Sequence, residues 1–157
     1  MNKIPLTASG YEKLQNELKN LVNKERPEII TAIAEARTYG DLSENAEYQY
    51  AKEHQSLNEG KIAELETTIA YAEIIDVSKL SGKEIKFGAT VKIKDGQKEE
   101  LSTYQIVGEY ESDIDNKKIS INSPLARGLI GKIKNDIVEV NSPKGISTYK
   151  VISIKYL

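Results

Sequence analysis

Two carboxylates three positions apart, Asp41 and Glu44, form the strongest candidate chemical pair in this 157-residue chain. They lie in the stretch Ala36 to Glu53, ARTYGDLSENAEYQYAKE. On a helical first turn, residues at that spacing share a face with Cβ atoms roughly 5–6 Å apart. Exposed carboxylates so placed can share a hard divalent ion. Mg²⁺ takes one or two carboxylates and completes its shell with water and phosphate oxygens. A structural account competes with this. Asp41 or Ser43 can N-cap the following helix, with Glu44 and Glu47 as first-turn acids favoured by the helix dipole. Capping is the plainer account from spacing alone, and the two are compatible.

Arg37 and Lys52 flank the acidic stretch. They form a small basic spot suited to a nucleic-acid phosphate, although ordinary solvated charges are the simpler reading. Tyr39 and Tyr48 are available for base stacking, but most of the nine tyrosines fall on stripes or strands and read as packing. The single His54 reads as a partly buried packing residue. One histidine and no cysteine argue against a histidine-based metal site, a Ser–His–Asp triad, thiol chemistry and disulfides. Ser123-Pro124 reads either as a plain strand-to-helix turn or as a rigid exposed docking corner.

The elements that must position these residues change grammar midway. In the first half apolar residues recur at helical spacing: Tyr11, Leu14, Leu18 and Leu21, then Ile29, Ala32, Ile33 and Ala36. Thr7 is a candidate N-cap, and Ser9 with Glu12 a candidate capping box. After Gly40 the pattern resumes as Tyr50, Leu57, Ile62, Leu65, Ile69 and Ala72. The simplest arrangement is a helical hairpin from about Thr7 to Asp76, turning near Gly40, each arm about 45 Å long at ~1.5 Å per residue. No strand is expected before residue 75. Pro27 leaves two options: a kinked continuous first helix, or a short helix ending near Lys24 and another starting at Pro27. The continuing stripe favours the first. Near the turn the stripe thins to Ala and Tyr, more like a protruding probe than a stabilising core.

After Ser81-Gly82 the pattern becomes β. Ala89–Lys94 alternates into an Asp95-Gly96 turn, and Leu101–Glu109, Lys118–Asn122, Ile137–Val140 and Thr148–Ile154 read as further strands. Pro124–Gly131 reads as a short helix, with Pro in its first turn and Gly after its end. The expectation is an α+β chain: residues 1–76 a helical hairpin with an acidic tip, residues 82–157 an antiparallel sheet with one short helix.

Charge follows the same division. Residues 1–80 carry a net −5 and residues 81–157 a net +3. The first half is therefore a poor candidate for independent DNA binding, and the second is only mildly basic. No apolar run approaches the ~20 residues of a membrane span, and the opening MNKIPLTASG lacks a signal-peptide core. A cytoplasmic location without membrane association is expected.

GDLSENAEY at Gly40–Tyr48, preceded by AEAR at Ala34–Arg37, resembles the tip signature of the GreA/GreB family of bacterial transcript-cleavage factors. SINSPLARGLIGKIKND at Ser120–Asp136 resembles the family's second signature, and IPLTASGYEKLQNEL and YKVISIKYL resemble its two ends. The likeness spans essentially the whole chain. It implies an antiparallel coiled coil followed by an FKBP-like domain. It further implies docking on bacterial RNA polymerase at the secondary channel, with the coiled coil passed inward. Stimulated cleavage of backtracked nascent RNA follows, with the chain itself not the enzyme. By the same resemblance Asp41 and Glu44 help hold a Mg²⁺ shared with the polymerase active site, and Ser43 supports them at the tip. Arg37 and Lys52 fall on positions associated with the RNA 3′ segment. Asn122, Ser123 and Pro124 fall in the loop that touches the polymerase. No Mg²⁺ held stably by the chain alone and no sequence-specific DNA binding are expected.

Two positions depart from the family pattern. Lys52 stands where Arg is frequent, which keeps the charge but loses bidentate phosphate contact. Asn135 stands where Gly is common, and Asn tolerates the left-handed conformation that the turn requires. Three rival readings remain: a channel-occupying regulator or inhibitor of the same fold without cleavage activity, a prolyl isomerase, and a coiled-coil interaction module without chemistry. Retention of both tip acids argues against the first. One Phe (Phe87) and no Trp to line a proline pocket argue against the second.

Overall fold

The computed structural model describes residues 3–41 and 44–157. The chain divides into two compact units, residues 11–72 and residues 3–10 with 73–157.

In the first unit, helical structure runs without interruption from Ala8 to Arg37 as α1 (Ala8–Asn20), a π-turn (Leu21–Glu25) and α2 (Arg26–Arg37). Thr7 starts it, its hydroxyl accepting the Gly10 N–H at 3.0 Å. The Ser9–Glu12 box is not what opens this helix. The π-turn shows how Pro27 is accommodated. Widening the turn routes the Arg26 N–H to the Leu21 carbonyl, five residues back, just before the proline that lacks an N–H. The Leu21 carbonyl also accepts from Asn58 Nδ2 at 3.3 Å, and Asn58 is buried in the opposing helix α3 (Ala46–Ala70).

Asn58 corrects the sequence reading of α3. The expected stripe included Tyr50 and Leu57, yet these are 72% and 68% exposed. The buried seam runs through Ala51, Asn58, Ile62, Leu65 and Thr68, facing Leu14, Leu21, Ile29 and Ala36 on the other arm. A polar residue with a carbonyl partner and a small alanine occupy seam positions that apolarity alone assigns to their larger neighbours. His54 is exposed beside Tyr50, with ring centroids 6.3 Å apart, and is not a packed hairpin residue. Surface ion pairs Arg26–Glu59 (2.8 Å) and Lys61–Glu17 (3.1 Å) join the arms, each worth at most about 1 kcal/mol.

The second unit corrects the expectation of no early strands. β1 (Ile4–Thr7) and β2 (Ala72–Ile75) pair as a small sheet, so the helical hairpin ends at Ala70 and not near Asp76. The β-branched Ile74 and Ile75 suit a strand better than a last helical turn. The main sheet has five strands in the order β5-β4-β3-β7-β6. They are β3 (Thr90–Asp95), β4 (Leu101–Val107), β5 (Lys118–Ser120), β6 (Ile137–Ser142) and β7 (Gly145–Lys155). It is mixed, not wholly antiparallel: β4 and β5 run parallel, joined by a connection that holds two single 3₁₀ turns. One short helix, α4 (Pro124–Leu129), packs Ala126 and Leu129 into a core with Ile85, Val91, Ile106 and Val151. Asn135 has φ +75°, the left-handed conformation its turn requires. Among the described residues no helix is long and apolar enough to cross a membrane.

Candidate functional site

The tip is built from the end of α2 and the start of α3. Glu35 and Ala36 carbonyls accept the Thr38 and Tyr39 N–H groups at 3.0 and 3.1 Å, ending α2. Gly40 then turns the chain at φ +114°, a conformation that L side chains rarely adopt. The return is closed by Asn45. Its Oδ1 accepts the Tyr48 N–H at 3.1 Å, N-capping α3, and its Nδ2 donates to the Ala36 carbonyl at 2.6 Å. One side chain therefore caps the second helix and ties it to the end of the first.

Asn45 revises the reading of Asp41 and Glu44. Asn45, not Asp41, is the N-cap of α3, and the acidic pair does not sit on a helical turn. Both carboxylates precede α3. They are exposed and line one shallow depression of about 450 Å³ with Tyr39, Asn45, Ala46 and Glu47. Ser43 lies outside the described residues. Asn45 was missed although NAEY carries a good capping residue ahead of a helical run. The acidic residues before it drew the assignment forward.

The basic residues do not line this depression. Arg37 is exposed and places its guanidinium 5.9 Å from the Tyr48 ring centroid, a contact worth about 0.5–1 kcal/mol at an exposed site. Lys52 is exposed and donates to Gln55 Oε1 at 3.1 Å. Tyr48 is half-buried and serves as packing for Arg37, whereas Tyr39 is 70% exposed. A second depression, about 370 Å³, lies between α2 and α3, floored by Ala32, Ala36, Ala46 and Ala51 and edged by Tyr39 and Tyr50. The small residues explain why the hairpin buries so little near its turn.

The donor set fits Mg²⁺ in one restricted sense. Three exposed carboxylates, Asp41, Glu44 and Glu47, border the depression, and one or two of them are hard oxygen donors of the right kind for a partly hydrated ion. Among the described residues no group of three or more His, Cys, Asp or Glu is placed to hold a metal.

In the second unit, Asn122, Ser123 and Pro124 form the corner between β5 and α4. Asn122 and Pro124 are exposed, while Ser123 is half-buried. The Ser123 hydroxyl donates to the Ser120 carbonyl at 2.7 Å and accepts the Ala126 N–H at 3.3 Å. Ser123 is thus the N-cap of α4, and only its neighbours present an open surface.

Comparison with known proteins follows this division. A family model described as transcription elongation factor, N-terminal, matches residues 4–74, and one described as transcription elongation factor, GreA/GreB, C-term, matches residues 80–156. The chain is 59% identical over 156 residues to transcription elongation factor GreA of Chelativorans sp. (strain BNC1), covering 99% of each. It is 57% identical over the full length of both to GreA of Bartonella tribocorum. Among solved structures it is similar to GreA factor homolog 1 of Thermus thermophilus, with 27% identity, TM-score 0.45 and coverage of 98% and 99%.

Proposed function

The chain belongs to the GreA/GreB family of transcription elongation factors, and from that premise we propose how its own residues stimulate RNA cleavage by bacterial RNA polymerase. The factor is not itself an enzyme. It brings groups to an active site that the polymerase owns, and so rescues complexes arrested by backtracking.

Asp41 and Glu44 are the groups delivered. The observation that carries this reading is that both carboxylates are exposed on one depression, ahead of a helix whose N-cap is supplied by Asn45. Neither acid supplies that cap. Mg²⁺ held by Asp41 and Glu44 together with polymerase ligands would supply the second ion of two-metal phosphodiester hydrolysis. The carboxylates also accept hydrogen bonds from, and so orient, the attacking water. Gly40 and Asn45 hold the turn that presents them, limiting the ordering cost at the moment of reaction. Arg37 and Lys52 supply positive charge for the RNA 3′ segment, with Arg37 steadied by Tyr48. Asn122 and Pro124 touch the polymerase, on a corner whose geometry Ser123 fixes.

The test is a backtracked elongation complex supplied with Mg²⁺ and each variant. Asp41→Asn and Glu44→Gln are expected to lose most stimulated cleavage, about tenfold or more if each removes at least 1.4 kcal/mol of transition-state stabilisation, with polymerase binding intact and partial rescue by raised Mg²⁺. Full stimulation by Asp41→Asn in a normally bound complex would overturn the assignment.

A further inference from the structure

Buried positions are spaced differently on the two arms of the hairpin. On α3, Ala51, Asn58 and Leu65 recur every seven residues, with Ile62 between the last two. On the first arm the series is Leu14, Leu21, Ile29 and Ala36, spaced seven, eight and seven. Each residue of an α-helix turns the chain by about 100°, so one extra residue would carry Ile29 and Ala36 off the seam. The π-turn Leu21–Glu25 takes up that residue, because its wider loop closes from the Arg26 N–H to the Leu21 carbonyl. Without it Glu28 and Glu35, seven residues on from Leu21 and from each other, would face α3.

Apolar packing confines the wide turn but does not place it. Between Leu21 and Ile29 no residue is buried; Val22, Glu25 and Arg26 are half-buried and the rest exposed. The extra residue can therefore shift along this stretch at little cost in buried apolar surface. Two consecutive residues of α3 mark its ends instead. Asn58, itself buried, donates Nδ2 to the Leu21 carbonyl at 3.3 Å. Glu59 accepts from Nε and Nη2 of Arg26 at 2.9 and 2.8 Å. Leu21 opens the wide turn and Arg26 closes it. The Arg26–Glu59 pair is exposed and adds little to stability. Asn58 is an amide among Ala51, Ile62 and Leu65. A polar group so placed specifies register at a cost in stability.

We propose that Asn58 is a positioning residue for stimulated cleavage. Its amide fixes where the wide turn sits, and so the direction in which the outer half of the hairpin presents Asp41 and Glu44. This rests on the assignment of those acids above. Helices bend at π-turns, and moving the turn by one residue re-aims the bend by about 100°. Ala36 lies fifteen residues beyond Leu21, about 22 Å along the arm. A small change of direction at the turn is therefore a large displacement at the tip. The Ala36 carbonyl also accepts from Asn45 Nδ2 at 2.6 Å, a bond that depends on the azimuth of α2.

The chain has no cysteine, so Lys13→Cys with Thr31→Cys gives one pair of nitroxide labels, on exposed sites either side of the wide turn. Electron–electron distance measurement should give one narrow distribution in the labelled parent, and a broadened or second one when Asn58→Leu is added. With a backtracked complex, unlabelled Asn58→Leu should stimulate cleavage about tenfold less than the parent, since a displacement of about 1 Å can cost on the order of 100-fold. Polymerase affinity should hold, and the thermal midpoint should stay equal or rise, which loss of a merely structural bond would not produce. An unchanged distance distribution, or a midpoint that falls in step with cleavage, would overturn the inference. So would full stimulation by Asn58→Leu where Asp41→Asn is inactive. Full stimulation by Asp41→Asn overturns the tip assignment and this inference with it, and is told apart by the variant that shows it.

Discussion

The carboxylate of Glu111 receives the backbone N–H of Thr7, 104 positions away, on both of its oxygens at 3.1 Å. The Thr7 hydroxyl also donates to it, and the Gly108 N–H donates at 2.9 Å. One half-buried acid thus anchors the residue that caps α1. The approach is tight: a Cβ on Gly10 would stand 1.7 Å from Glu111 Oε1. Glu111→Gln is expected to lower unfolding free energy by about 1.5–3 kcal/mol, the range for hydrogen bonds to a charged group. Chemical denaturation of Glu111→Gln, Thr7→Ala and the double variant checks it, with the double falling well short of the sum.

Asn45→Ala should cost about 1–2 kcal/mol, because it removes both a cap and a bond to the Ala36 carbonyl. It should also reduce stimulated cleavage without touching polymerase affinity, by loosening the acids it positions. Asn45→Asp should restore the cap, since Asp caps as well as Asn, but it cannot donate to Ala36. Its cleavage activity should fall between Asn45→Ala and the parent. Equal activity in all three proteins would show that the tie has no part in presenting the acids.

At the docking corner the two neighbours should separate cleanly. Ser123→Ala removes the α4 cap and should cost about 1 kcal/mol in thermal or chemical unfolding. Pro124→Ala, at an exposed N-terminal position, should change stability by less than about 0.5 kcal/mol and weaken polymerase association. Binding titrations alongside unfolding curves distinguish the roles.

Asp95 gives a pH prediction. The backbone N–H groups of Lys98 and Gln97 hold its carboxyl below the ordinary value of 3.8, donating to Asp95 Oδ1 at 3.0 and 2.8 Å. A depressed folded-state pKa means the ionised form favours the fold. Its contribution is fully present above the unfolded value and is lost as pH falls through the folded one. The stability difference between the parent and Asp95→Asn should therefore be constant near neutrality and shrink below about pH 3.8. Paired denaturation curves at several pH values measure it. A difference that grows on acidification would contradict the assignment.

The two-part grammar of this chain was legible because helical and strand periods differ so sharply on either side of Ser81-Gly82. The seam of α3 was less so. Asn58 meets the Leu21 carbonyl at the start of the π-turn in the other helix, a long-range partner that no local pattern encodes. Tyr50 and Leu57 outrank Ala51 and Asn58 on apolarity, and partner geometry reverses the order. The parallel pairing of β5 with β4 was likewise hidden, since alternation sets the face of a strand but not its direction. At the tip, the acids were identifiable by composition, while the residue that arranges them, Asn45, was concealed by the acidic residues before it, which suit a cap as well. The docking corner was visible as a turn, but the division of labour within it depended on which hydroxyl lone pair met which N–H.

The tie from Asn45 to Ala36 makes the helical seam indifferent to what lies between them. Tyr39, Asp41 and Glu44 in that interval are exposed and can be exchanged without repacking Ile29, Ile62 or Leu65, so inheritance can treat the tip as a replaceable cartridge on a constant handle. Descendants of one hairpin could then diverge in the chemistry they deliver while keeping the same reach, and a lineage could silence its tip without losing its place on the host machine.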